Sequence, residues 1–130
     1  MLSRVANSIY WMNRYIERVE NYARFVSVNI NLSYDLPGMI SEHWGLLLEA
    51  THDKATYDKL YSEETEDKII YFITFDPNNP NSIFNILGNA RENARTVKET
   101  LPKEIWEHLN SFYLSFKQFS TTRKLDFEEL

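Results

Sequence analysis

Residues 3–34 read SRVANSIYWMNRYIERVENYARFVSVNINLSY, and the spacing within this stretch decides the fold class. Val5, Ile9, Met12, Ile16, Val19, Ala23, Val26 and Ile30 recur every three or four positions, the interval that draws one apolar stripe down an α-helix. One long helix over residues 3–34 follows. Asp35-Leu36-Pro37-Gly38 should end it, because proline disfavours helical geometry in its predecessor and glycine accepts left-handed backbone angles.

Working outward, Ser41 is placed to cap a second helix that carries Trp44, Leu47 and Leu48 and closes near His52-Asp53. A short polar helix over 54–61 comes next. Residues 65–75, TEDKIIYFITF, suit a buried strand as well as a helix, since β-branched and aromatic residues favour pleated surfaces. Helix is the reading adopted, because no second strand is at hand to pair with. Asp76 to Ser82 is a turn-rich loop whose last residues can cap a helix with the stripe Ile83, Leu87, Ala90, Ala94, Val97 and Leu101. Pro102 opens a last helix that turns Ile105, Trp106, Leu109, Phe112, Tyr113 and Phe116 inward, and the tail LDFEEL frays. The expected architecture is all-α, a bundle of about five helices forming a single domain over residues 1–130.

Composition narrows the function. With 130 residues, 43% of them hydrophobic and 15% aromatic, the chain can build one sizeable core. A formal charge of −5 argues against nucleic acid as partner, since neutralising phosphates needs a basic face. There is no cysteine, hence no disulfide framework, thiolate metal site or thiol nucleophile. The amino terminus lacks the apolar core of a signal peptide, and the longest uncharged apolar run, IIYFITF, is too short to cross a bilayer. A cytoplasmic protein with no membrane partner is the expectation.

The chemistry-bearing residues cluster in two places. On the first helix Glu17, Glu20 and Arg24 border the apolar stripe, while Arg14, Arg18 and Asn21 lie on the far side among Trp11, Tyr22 and Phe25. On the later helix Arg91, Arg95 and Lys98 form a ridge, with Glu92 and Asn93 pointing elsewhere. The two ridges have opposite charge, and packing the stripes together should bring Glu17 and Glu20 against Arg91 and Arg95. One reading is structural: exposed helical ion pairs, each contributing about 0.3–0.5 kcal/mol. The other is a pocket in which arginines grip a phosphate or carboxylate while glutamates hold the guanidinium planes. Glu49-Ala-Thr-His52 has the spacing of a di-metal helical motif, and Glu104, Glu107 and His108 cluster similarly. Such a centre needs two motifs and two further glutamates, so no metal is assigned and His52 is read as a helix-end residue. His43 is read as a surface residue. No phosphate-binding loop, dinucleotide pattern or hydrolase elbow occurs, and no catalytic residue or cofactor is assigned.

Residues 1–25, MLSRVANSIYWMNRYIERVENYARF, resemble the start of the bacterial alpha-E family, helical proteins named for a recurrent Glu-Arg motif, here Glu17-Arg18. The likeness continues through WGLLLEAT at 44–51, Asn79 to Ile83, ARENAR at 90–95, Glu104-Ile105-Trp106-Glu107 and Leu109-Asn110. It implies an all-helical cytoplasmic protein encoded beside ATP-grasp-type ligases and transglutaminase-like proteases, a context of ATP-dependent peptide synthesis or modification. By the same resemblance Glu17, Arg18, Glu20, Asn21, Arg24, Arg91, Glu92, Asn93 and Arg95 are the ligand-binding candidates. Relatives carry a second helical half, so the chain is expected to match the amino-terminal half. Asn13 stands where relatives usually have glycine, and Pro102 where a capping serine is expected. Three functions stay open: a non-catalytic binding or scaffold subunit for an ATP-grasp-type ligase, an enzyme or binding domain holding an anionic substrate on its Arg/Glu cluster, and a di-metal carboxylate protein. The rings of Trp11, Tyr15, Tyr22 and Phe25, outside the main stripe, are expected at a homodimer interface.

Overall fold

The computed structural model describes residues 2–129, with side chains described over residues 3–39 and 43–118. Six helices follow one another: α1 (Leu2–Asp35), α2 (Ile40–Ala50), α3 (Lys54–Leu60), α4 (Glu66–Thr74), α5 (Ile83–Thr96) and α6 (Lys103–Glu129). No strand occurs among the described residues. A 3-10 turn, Pro37–Met39, joins α1 to α2, and no glycine in the described chain takes a positive φ. Proline therefore ends α1 without help from a left-handed Gly38. Met39 occupies the position before α2 and provides no side-chain cap; the side chain of Ser41, expected in that role, lies outside the described residues.

The chain forms two compact units, one of residues 1–19 and 84–130, the other of residues 20–83. In the first, Met12 of α1 and Ala90 and Ala94 of α5 make a small core, on which Ile9, Tyr15, Ile16, Leu101, Trp106 and Leu109 pack. Two alanines one turn apart present a low surface, so α1 comes close to α5 and the long side chains fill the flanks. Pro102 immediately precedes α6, where a missing N–H costs nothing, and its carbonyl accepts from the Ile105 N–H at 3.0 Å. Ile105 and Phe112, expected inward, are 45% and 54% exposed. Only the Trp106–Leu109–Tyr113–Phe116 side of α6 is covered, and Phe84 stacks on Tyr113 and Phe116.

The second unit settles the ambiguous segment as helix. Thr65 caps α4 by accepting the Lys68 N–H, Glu66 and Asp67 sit at the positive end of the helix dipole, and Ile69, Phe72 and Ile73 share one buried face. Trp44, Leu48 and Tyr57 are fully buried with them. Here α1 departs from its expected stripe: Ala23 is exposed, and Tyr22 and Asn29 are the buried residues.

Between α2 and α3 the chain reverses through a Schellman turn. The His52 N–H donates to the Glu49 carbonyl and the Asp53 N–H to the Leu48 carbonyl, with His52 at φ 62°. Glycine is the usual occupant of that left-handed position. The turn delivers Asp53 into the interior while its backbone carbonyl accepts from the Tyr57 N–H of α3.

Candidate functional site

Glu17 and Arg18 are adjacent on α1, so their side chains diverge by about 100° and do not face each other. Both are exposed. Glu17 accepts from Arg14, one turn earlier, at 3.5 Å, and these two side chains are 62% and 55% exposed, a solvated pair that contributes little. Arg18 makes no ion pair with any described residue, so the motif presents one loosely engaged carboxylate and one open guanidinium.

The arginines of α5 are held differently. Arg91 donates through Nε to the Asn110 side-chain oxygen on α6 at 2.8 Å and lies over the Tyr113 and Trp106 rings, 4.8 and 5.9 Å from their centroids. Glu92 bridges it to Arg95, accepting from Arg91 at 3.4 Å and from Arg95 at 2.9 Å. Lys98 reaches the same Trp106 ring at 5.8 Å. Asn93 turns to its own helix, donating to the Asn89 carbonyl. Arg91 is thus a brace between α5 and α6. The expected seam of Glu17 against Arg91 and Arg95 is absent within this unit: Glu17 pairs with Arg14, and Glu92, expected to point away, takes both arginines. An i,i+3 neighbour on the same helix needs no tertiary alignment to find its partner.

The described residues are helical, and the sequence carries one Glu-Arg dipeptide, Glu17-Arg18. Alpha-E, a predicted alpha-helical domain with a conserved ER motif, matches residues 1–129. The chain belongs to the Alpha-E family. No match was found among curated proteins or among solved structures.

In this Alpha-E chain the other candidate residues of α1 separate by burial. Glu20, Asn21 and Arg24 are exposed. Trp11 and Phe25 are 41% and 42% exposed, as an interface would need, whereas Tyr15 is half-buried against the Met12 cluster. Tyr22, expected at that interface, belongs instead to the interior of its own unit, where its hydroxyl donates to Asp53 at 3.4 Å. Among the described residues no three His, Asp or Glu side chains converge as metal ligands. Glu49 and His52 serve the end of α2 through the backbone turn already described.

The polar interior of the second unit was not legible in advance. Asp53 receives the Tyr22 hydroxyl on one oxygen and the Asn81 amide on the other, at 3.2 Å. Asp76 accepts the Asn78 N–H at 2.9 Å and the Tyr61 hydroxyl at 2.5 Å. Asn79 donates to the Phe72 carbonyl at the end of α4 and accepts the Asn81 N–H. The available signal was the density of Asp, Asn and Ser around Pro77 and Pro80, residues that bond their own backbone in turns. Burial, seconded by Asp76, holds the Tyr61 hydroxyl well above the ordinary tyrosine range. Burial likewise pushes Tyr57 up to about 12, and its hydroxyl donates to the Glu63 carbonyl.

His43, read from sequence as a surface residue, is half-buried with Nε2 3.0 Å from the Ser33 hydroxyl. That hydroxyl also donates to the Asn29 carbonyl at 3.0 Å and accepts from the Trp44 indole N–H at 3.2 Å. With its one proton on a carbonyl, Ser33 is a fixed hydrogen-bonding node rather than an activated nucleophile.

Proposed function

We propose that this Alpha-E chain is a non-catalytic docking subunit whose Glu17-Arg18 face engages a partner protein, an ATP-grasp-type ligase acting in peptide synthesis or modification. The observation that supports the reading is the exposure of the motif itself. A Glu-Arg pair kept for packing would be buried or braced, as Arg91 is; Glu17 and Arg18 are neither. Exposed charges of this kind steer and register a partner more than they stabilise a fold. An ATP-consuming partner would work where ATP is, in the cytoplasm of a bacterial cell. Trp11 and Phe25 offer apolar contact on the same helix, either to that partner or to a second copy of the chain. The test is co-purification with an ATP-grasp-type ligase from the same genome. The double charge reversal E17R/R18E should abolish capture while leaving the circular dichroism spectrum unchanged. Undiminished capture by that variant would refute the motif as the docking face.

A further inference from the structure

Arg14, Arg91 and Arg95 are engaged by glutamates, and a cation with no such partner, Arg4, lines a groove. Within the first unit a groove of about 510 Å³ is lined by Ser3, Arg4, Val5 and Ser8 of α1 and by Thr96 and Val97 at the end of α5. That volume is in the range of small-molecule sites. Arg14, Arg91 and Arg95 each have a glutamate, whereas Arg4 makes no ion pair or hydrogen bond with any described residue. Residues 1–16 contain no Asp or Glu, so the α1 side of the groove sets no negative charge against an anion.

We propose that this groove binds the carboxylate of an N-acylated amino acid or peptide carboxyl terminus with a small apolar side chain. Arg4 supplies a guanidinium fork that matches a carboxylate, and the Ser3 and Ser8 hydroxyls, unbonded among the described residues, are further donors. The Thr96 hydroxyl donates to the Asn93 carbonyl at 2.8 Å, so toward the groove it can only accept. A ligand N–H beside the carboxylate can donate to this hydroxyl, and the amide of an acylated residue supplies one. Val5 and Val97 give its side chain an apolar wall. A free amino acid fits less well, because its ammonium meets no carboxylate among the lining residues. This site is independent of the docking face, as none of its residues belongs to the Glu-Arg motif.

Amide chemical-shift titration of the isotope-labelled full chain with N-acetyl-leucine tests the assignment, with free leucine and inorganic phosphate as comparison probes. Saturable shifts confined to residues 3–8 and 95–98 are expected, with leucine and phosphate weaker by roughly tenfold or more and Arg4→Gln weaker by a similar factor. Thr96→Val should cost several-fold for N-acetyl-leucine and nothing for phosphate. No saturable shift with N-acetyl-leucine, equal binding of leucine or phosphate, or unchanged affinity in Arg4→Gln would each overturn the proposal. Arg4 is exposed and unpaired, so its replacement leaves the fold intact for the comparison.

Discussion

The two compact units handle polarity in opposite ways. Residues 1–19 and 84–130 hold ten Lys and Arg against eight Asp and Glu, whereas residues 20–83 hold four against eleven. The first unit keeps its charges outside: Arg14–Glu17, Glu92–Arg95 and Lys103–Glu107 are short-range pairs on single helices, and the core beneath is apolar. The second takes polar groups inside, with Asn29, Asp53, Asp76, Asn79 and Ser82 all buried. Among the described residues every buried side-chain polar atom has a partner. A saturated interior network specifies one arrangement and is costly to break, while solvated pairs leave a surface free to bind. The candidate docking face and the groove belong to the first kind of unit, and the rigid turn network to the second.

The sharpest way to break this comparison is to remove one polar anchor from each unit. Asp53→Ala strands the Tyr22 hydroxyl and the Asn81 amide inside and should lower stability by about 3 kcal/mol. Glu92→Ala, which releases two exposed arginine contacts, should cost less than about 1 kcal/mol. Urea unfolding measures both, and equal losses would erase the distinction.

A pH experiment sharpens it. The folded state holds the proton of Tyr57 up to about 12, above the ordinary value of 10.0, and Tyr61 is shifted in the same direction. Above the ordinary value the unfolded chain releases these protons first, so the stability they confer is complete below about pH 10 and is lost as pH rises through 12. Stability by urea unfolding should therefore fall between pH 10 and 12, and Tyr57→Phe should flatten part of that decline. A decline of the same steepness in the variant would remove Tyr57 from the account.

The smallest effect has the opposite sign. His52 takes a left-handed conformation that suits glycine, so His52→Gly should stabilise the second unit by about 0.5–1 kcal/mol, a net of relieved strain against the greater freedom of glycine in the unfolded chain. A thermal melt showing destabilisation would mean that the imidazole does more than occupy the turn.

Most of the helix boundaries were legible because each depends on neighbours in sequence. The stripe of residues 5–19, the stop at Pro37 and the alanines of α5 are all local signals, and α1 lies where periodicity puts it, whereas α5 ends at Thr96, before the Val97 and Leu101 expected in its stripe. The Glu17-Arg18 pair was equally readable, and the family model matches residues 1–129. Errors arose where a residue had two acceptable faces. Tyr22 can lie at an interface or send its hydroxyl to a buried carboxylate, and only the position of Asp53 chooses. Ile105 and Phe112 sit one position from a covered face of a helix that is apolar on several sides, so periodicity could not say which side would be packed. Glu92 could serve a distant helix or its own, and proximity along α5 prevailed.

Sequence alone therefore determined the class of the protein, the order of its helices and the family to which it belongs, because backbone propensity, capping and apolar period act over a few residues. The tertiary structure decided which polar groups are spent and which are left. Asn81 reaches Asp53 across twenty-eight residues and Tyr61 reaches Asp76 across fifteen, and those pairings use hydrogen-bonding capacity that no local rule assigns. The reason is physical: a buried donor or acceptor must find a partner wherever the fold brings one, whereas an exposed one is satisfied by water. What remains unspent, Arg18 on α1 and Arg4 at the groove, becomes visible only once those pairings are known.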